Sequence, residues 1–322
     1  MILQNKNSGV CGRFAPSPSG RMHLGNVFCA LIAWLSVRSA GGKMVLRIED
    51  LDPGRCRPEY AAQLQDDLLW LGLDWDEGGM GQGRSYMQSR RSGIYQQYYD
   101  ILEEKGLLYP CFCSRTELHA VEAPHRSDGR YVYSGRCRNL SGEEVARLSA
   151  ERKPAVRIVT PDKTETFTDG NLGPYSQNLR REFGDFIVRR SDGVFSYQLA
   201  VVVDDALMGI TEVTRGRDLQ DSTPCQRYLF KQFGFSPPSY YHIPLLLAPD
   251  GRRLSKREHD LDLGCLRERY RPEQILGYLA HICGLIDRPE PVGAKELVPR
   301  FSWDHFPKDD ITISGIIKDE NT

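Results

Sequence analysis

The sequence has almost no net charge and no long apolar stretch. Its 322 residues carry 42 lysines and arginines against 43 aspartates and glutamates, a formal charge of −1. That balance excludes a chain that grips nucleic acid through bulk charge; an RNA partner would need basic residues grouped on one surface. No window reaches the roughly 18 consecutive apolar residues of a membrane span. The polar start, MILQNKNSGV, lacks the charged-then-apolar layout of a secretory signal. Nine cysteines, an odd number, are scattered along the chain rather than framed as a disulfide scaffold. Reduced thiols, a cytoplasmic location and no membrane contact are therefore expected. The glycine patterns of P-loop and dinucleotide-binding proteins are missing, as are internal repeats and low-complexity tracts.

What is present starts at GRFAPSPSGRMHLGN, residues 12–26. Pro16 and Pro18 forbid helix and push the residues before them toward extended backbone. From Leu24 onward, Val27, Phe28, Leu31, Ile32 and Leu35 recur at helical spacing, and Gly41-Gly42 ends the run. The unit reads as strand, rigid loop, helix. The free N–H groups of such a helix start favour an anion, Gly25 allows close approach to the backbone, and His23 adds a donor beside it.

Further along, KMVLRIED reads as a buried strand ending at Glu49-Asp50, followed by helices over 58–71 and 88–105. Strand–helix alternation predicts an α/β fold with a doubly wound parallel sheet, whose ligands sit at the carboxyl ends of the strands. The alternation breaks over 109–168, which reads as an insertion. DFIVRRSDGVFSYQLAVVVDD returns to strand character, with a hairpin turn at Ser191-Asp192-Gly193. GITEVTRG is another buried strand, and helices are expected over 218–233 and 272–285.

The strand ends deliver one consistent set of side chains. Arg13 can hold a carboxylate through a bidentate fork, Ser17 adds a neutral donor, and Glu49 can accept from an ammonium group. Tyr197 and Arg215 complete the set from the second half. Two cations, one anion and two hydroxyls match an α-amino acid with an acidic side chain. His23-Leu24-Gly25-Asn26 resembles the HIGH motif of class I aminoacyl-tRNA synthetases, with asparagine in place of the last histidine. The preceding RFAPSPSG is similar to the glutamate/glutamine branch of that class. RIEDLDPGR, SYQLAVVVDDALMGITEVTRGRDL and LSKR follow in the family's order.

The resemblance implies that Arg13, Ala15, Ser17, Glu49, Tyr197 and Arg215 contact L-glutamate. It implies that His23, Gly25, Asn26, Ser255 and Lys256 serve ATP, with His23 and Lys256 catalytic. RLSKR, residues 253–257, resembles a degenerate KMSKS loop. Leu219 departs from the family, which commonly carries tryptophan there. Mg²⁺ would travel with ATP, held by phosphates and waters. The reaction needs no side-chain nucleophile: the glutamate carboxylate attacks the α-phosphorus, and the protein aligns the partners and neutralises charge.

Within residues 109–168, Cys111, Cys113 and Cys137 form a spacing that suggests a structural Zn²⁺. His119 and His125 are chemically ordinary fourth ligands. Tyr133 is unusual, but it matches the Cys-x-Cys…Tyr-x-x-x-Cys pattern of one group within the branch, the glutamyl-queuosine tRNA(Asp) synthetases. Only 66 residues follow Lys256, too few for the anticodon-binding region of a full glutamyl enzyme. The resemblance to that group implies glutamate transfer to the queuosine base of tRNA(Asp), with the anticodon stem-loop as partner and a monomer as the working unit.

The resemblance also suggests a division of the chain. Residues 1–108 and 169–257 would form the two halves of a Rossmann-like catalytic domain. Residues 109–168 would carry the zinc site, and 258–322 a short helical C-terminal segment. Basic residues at 252–257 and 267–271 would meet RNA phosphates. A truncated glutamyl-tRNA synthetase charging the tRNA 3′ end, a small-molecule nucleotidyltransferase and a silent tRNA-binding module are the competing readings.

Overall fold

The structure is a computed structural model that describes residues 9–81, 85–114, 132–252, 254 and 261–313. At its centre lies a five-stranded parallel sheet. The strands are β1 (Cys11–Phe14), β2 (Lys43–Leu46), β3 (Glu77–Gly78), β9 (Glu212–Gly216) and β10 (Ser239–Ile243), in the order β10-β9-β1-β2-β3. The order reverses between β1 and β9, so the chain leaves β1 and β9 in opposite directions across the sheet. A crevice opens at the carboxyl ends of strands at such a point.

Helix α1 (Leu24–Ser39) connects β1 to β2, and α2 (Pro58–Trp70) connects β2 to β3. Phe14, Met44 and Leu46 point into the core that these helices share with the C-terminal segment. Cys11, Val45, Val213 and Tyr240 point to the opposite face, as strand alternation requires. That face is covered by the hairpin of β6 (Thr164–Asp169) and β7 (Gly173–Asn178), whose Phe167 meets Tyr240 with ring centroids 6.0 Å apart.

An antiparallel three-stranded sheet stands beside the parallel one. It contains β4 (Leu108–Cys111), β5 (Ala155–Ile158) and β8 (Phe186–Arg189). Helices α3 (Ser92–Glu104), α5 (Tyr197–Leu207) and α6 (Thr223–Gln232) build a second apolar core with it. The C-terminal part holds α7 (Leu263–Arg269), α8 (Pro272–Ile282) and α9 (Ala294–Leu297). It returns as a short strand, β12 (Ile311–Thr312), that pairs in parallel with β11 (Leu246–Leu247). One further helix, α4 (Gly142–Glu151), is capped by Ser141. Among the described residues no helix is long and apolar enough to cross a membrane.

Several segments differ from the sequence expectation. SYQLAVVVDD is helix, not strand. Leu199 through Val203 are all buried, and a short continuous apolar run is ambiguous between a buried strand and a buried helix. Ser196 decides it, because its side chain accepts from the Leu199 N–H and caps a helix start. The expected helix over 88–105 splits into a 3₁₀ turn, Gln88–Arg90, and α3; that over 218–233 splits into Arg217–Ser222 and α6. The antiparallel pairing of β5 with β8 runs to Arg189, and the β6–β7 hairpin straddles residue 168.

The position of α1 on the sheet depends on one glycine. A Cβ on Gly12 would lie 2.2 Å from Val37 Cγ2, and Val37 is a buried, β-branched side chain with little rotamer freedom. Gly12→Ala is expected to lower unfolding stability by about 1–3 kcal/mol, read as a reduced urea midpoint. An unchanged midpoint would show that the α1–β1 contact is looser than this packing implies.

Candidate active site

The helix start after β1 is built from its own side chains. His23 is the N-cap of α1, and its Nδ1 accepts from the Gly25 N–H at 3.1 Å. The Asn26 side chain accepts from the His23 N–H at 3.1 Å, closing a capping box. Because Nδ1 accepts, a neutral His23 carries its proton on Nε2 and can donate there. A Cβ on Gly25 would press on the His23 ring at 3.1 Å. No acidic residue sits in the first turn, so the partial positive charge of the helix end is left for a ligand.

The expected residues converge. Arg13, Ala15, Ser17, His23, Asn26, Glu49, Tyr197 and Arg215 all line one cavity of about 480 Å³ at the β1/β9 crevice. Gly25 stands behind His23 rather than on the wall. Leu219 lines the cavity too, and its carbonyl accepts from Arg215. Ser255, Lys256, His119 and His125 lie outside the described residues.

Burial makes these charges strong. Arg13 is 5% exposed; its Nη1 donates to the Thr214 carbonyl at 3.1 Å, and its Nε lies 3.7 Å from Asp205. Arg13 Nε and the Thr214 hydroxyl have no hydrogen-bond partner. Glu49 is held by Arg47, whose Nη2 donates to it at 3.1 Å while Nη1 donates to Asp205 at 2.6 Å. Burial raises the Glu49 carboxyl pKa, and Arg47 and Arg13 pull it back.

Arg215 is 3% exposed, and its partners are all uncharged. Nε donates to His242 Nε2 at 3.1 Å, Nη1 to Gln226 Oε1 at 2.8 Å, and Nη2 to Thr223 Oγ1 at 2.9 Å. Tyr197 Oη sits 3.4 Å from Nη1. Among the described residues no carboxylate pairs with Arg215, so its charge is available to an anion in the cavity. Behind it, His242 Nδ1 meets Asp169 Oδ2 at 2.5 Å.

Sequence reasoning gave no role to Arg47, Asp169, Asp204, Asp205, His242, Thr223 or Gln226. A signal existed for some of them. Asp204-Asp205 ends a run of apolar residues, and His242 sits inside the apolar YYHIPLLL; buried polar residues of this kind need a partner. Arg267, expected to meet RNA phosphates, is instead paired internally. Its Nη1 reaches Asp66 and the fully buried Asp67, each at 2.6 Å, and Asp67 also accepts from Arg21.

A second cluster lies in the antiparallel sheet. The sulfurs of Cys111, Cys113 and Cys137 are all within 4.8 Å of one another, and none is in a disulfide. Tyr133 Oη lies 3.5 Å from Cys111 Sγ and 3.7 Å from Cys113 Sγ; Cys113 and Cys137 are 3.6 Å apart. Four donors around a tetrahedral ion with metal–sulfur bonds near 2.3 Å stand about 3.5–3.8 Å apart. The residues fit such an ion. Arg157 donates to Cys111 at 3.2 Å, which favours the thiolate there, and its guanidinium lies over the Tyr133 ring at 3.8 Å.

Residues 9–284 match the catalytic domain of class I tRNA synthetases (E and Q). The chain is 49% identical to a glutamyl-Q tRNA(Asp) synthetase of Symbiobacterium thermophilum, over 94% of this chain and 96% of that protein. It is 48% identical to the glutamyl-Q tRNA(Asp) synthetase of Nitratidesulfovibrio vulgaris, over 92% and 94%. Among solved structures, a glutamate tRNA ligase from Elizabethkingia meningosepticum in complex with its amino acid superposes with a TM-score of 0.80 at 28% identity. That match covers 95% of this chain and 67% of the other.

Burial pushes the His242 pKa down to about 4 from 6.5, with Arg215 adding to the fall and Asp169 opposing it. Between these values the unfolded chain binds a proton at this residue that the folded chain does not. The stability tied to His242 is therefore whole above the unfolded pKa and is lost as pH falls toward the folded one. From about pH 7 to about pH 5 the urea midpoint should drop further in the native protein than in His242→Gln. Equal drops would show that the histidine is not buried neutral.

Proposed function

We propose, on the premise that this chain belongs to the class I tRNA synthetase family of the glutamate and glutamine branch, that it activates L-glutamate with ATP. It then transfers the glutamyl group to the queuosine base at the wobble position of tRNA(Asp). The observation that carries the first half is the convergence of two buried arginines and one buried glutamate on a single cavity. The acceptor rests on the likeness, over almost the whole chain, to relatives named glutamyl-Q tRNA(Asp) synthetases.

In this reading Arg13 and Arg215 receive the carboxylates of glutamate. Glu49, with Tyr197 and Ser17 beside it, receives the ammonium group, and Ala15 leaves room between them. The ATP phosphates meet His23 Nε2–H and the start of α1, where the Gly25 N–H holds the His23 ring and the Asn26 side chain holds the His23 backbone N–H. Ser255 and Lys256 of the KMSKS-like RLSKR would serve the same phosphates, and Mg²⁺ would accompany ATP. A glutamate carboxylate oxygen attacks the α-phosphorus, the bond to pyrophosphate breaks, and buried donors offset the charge that develops. A hydroxyl of the queuosine ring then attacks the acyl carbon, and AMP leaves.

Cys111, Cys113, Cys137 and Tyr133 would hold the zinc ion, which supplies a structural cross-link between β4 and the segment before β5. The anticodon stem-loop enters the cleft with its wobble nucleoside unstacked, since single-stranded loops are where proteins read RNA bases. The enzyme works as a cytoplasmic monomer.

The decisive test maps radiolabelled glutamate on tRNA. Queuosine-containing tRNA(Asp) should be labelled in its anticodon fragment after nuclease digestion, with or without its 3′-terminal adenosine. The same tRNA lacking queuosine should stay unlabelled. Label at the 3′ end of a glutamate tRNA would replace this reading with that of a glutamyl-tRNA synthetase.

For the metal, elemental analysis of protein prepared without chelator should find one zinc per chain, and Tyr133→Phe should lower its retention. Zinc-free native protein would remove the metal, and full retention in Tyr133→Phe would move the fourth ligand elsewhere.

A further inference from the structure

The Arg215 guanidinium is fixed by an unusual set of acceptors. A buried arginine is commonly oriented by a carboxylate, which also cancels its charge. Here the carboxylate behind it, Asp169, stands one imidazole ring away. Asp169 Oδ1 accepts the backbone N–H groups of Asn171 at 3.0 Å, Leu172 at 2.9 Å and His242 at 3.1 Å. Its other oxygen faces His242 Nδ1 at 2.5 Å. A carboxylate only accepts, so it places the imidazole proton on Nδ1 and leaves Nε2 as an acceptor. Two donors use that acceptor: Arg215 Nε at 3.1 Å and the Thr223 hydroxyl at 3.3 Å. The Thr223 oxygen in turn accepts from Arg215 Nη2 at 2.9 Å. The tautomer of His242 is thus determined from both sides.

We propose that Asp169 and His242 are positioning residues for amino-acid binding: they aim Arg215 at a substrate carboxylate and, by keeping Asp169 one ring away, leave its positive charge whole. This rests on the reading above in which Arg215 receives a glutamate carboxylate. Neither residue touches substrate; both act through Arg215. The burial of His242, which keeps its ring neutral at ordinary pH, agrees with this arrangement.

Asp169→Asn separates this role from folding. The asparagine Oδ1 can still accept the three backbone N–H groups. Its amide nitrogen then faces His242 Nδ1 and, being a donor, forces the ring proton to Nε2. Nε2–H then opposes Arg215 Nε–H, and the guanidinium loses its aim.

Calorimetric titration with L-glutamate should show Kd raised about 10- to 100-fold in Asp169→Asn, the range for losing an oriented charge-assisted contact, while Kd for ATP stays at the native value. Nitrogen-15 NMR of the His242 ring, identified by its loss in His242→Gln, should report Nδ1–H in the native protein and Nε2–H in the variant. Arg215→Lys provides the reference. No measurable glutamate binding by the native chain, or unchanged glutamate binding in Arg215→Lys, overturns the reading of the pocket itself. Weakened binding in Arg215→Lys with native Kd in Asp169→Asn overturns the positioning role alone. So does a native ring proton on Nε2, or a Kd for ATP that rises together with that for glutamate.

Discussion

Arg47 heads the fully buried side chains among the described residues, and its charge is what the two halves of the molecule close around. It rises from the segment after β2 and meets Asp205 of α5 at 2.6 Å and Glu49 at 3.1 Å, with Asp204 at 3.8 Å. Asp204, itself fully buried, also accepts from Arg91 at 2.7 Å, from Gln88 at 2.8 Å and from Tyr95 at 2.9 Å. One lattice of charges therefore joins β2, the turn before α3, α3 itself and α5. Removing one member of such a lattice leaves its partners charged and dry, at a cost of about 3–5 kcal/mol. Glu49 reaches the cavity because Arg47 holds it there.

The cavity is a product of this closure. Arg13 comes from β1 and Arg215 from β9, and these strands are neighbours only because the sheet order reverses between them. Tyr197 arrives at the first turn of α5, whose carboxylates face back to Arg47. The wall thus carries two cations and one anion, each oriented from behind: Arg13 by a backbone carbonyl and a distant carboxylate, Glu49 by an arginine, and Arg215 by neutral acceptors. The five N–H groups of Arg215 all meet neutral acceptors, so its position is set while its charge stays uncancelled, which is what makes a buried charge useful to a ligand. The β6–β7 hairpin takes part in this, because Asp169 at its turn secures the backbone of β10 and the ring of His242 together.

The start of α1 follows a different physics, since its chemistry is local. Pro16 and Pro18 stiffen the approach, His23 caps, Asn26 completes the capping box, and Gly25 leaves space for the ring. All of these residues lie within one short stretch, so their spacing in the sequence is their spacing in space. The thiol cluster is intermediate. Cys111 and Cys113 are separated by one residue in the chain, but Tyr133 and Cys137 reach them only because β4 is set in the antiparallel sheet, with Arg157 of β5 laid across the Tyr133 ring.

The amino-acid order by itself determined the local units: the strand–loop–helix at residues 11–39, the alternation that makes a parallel sheet, and the polar residues that end its strands. It also named Arg13, Glu49 and Arg215, through motifs whose residues are close in sequence. It left the run Leu199–Val203 ambiguous, because an apolar stretch with no polar face has no period, and the Ser196 cap with the packing around it made that run a helix. It left Arg47, Asp204, Asp205, Asp169 and His242 without roles. Arg47 and Asp205 stand 158 positions apart, Asp169 and His242 73, and His242 and Arg215 27, and only the closed fold brings such groups within hydrogen-bond distance. Whether a buried charge is neutralised or kept whole depends on which group stands next to it in space, and that was decided by the tertiary structure.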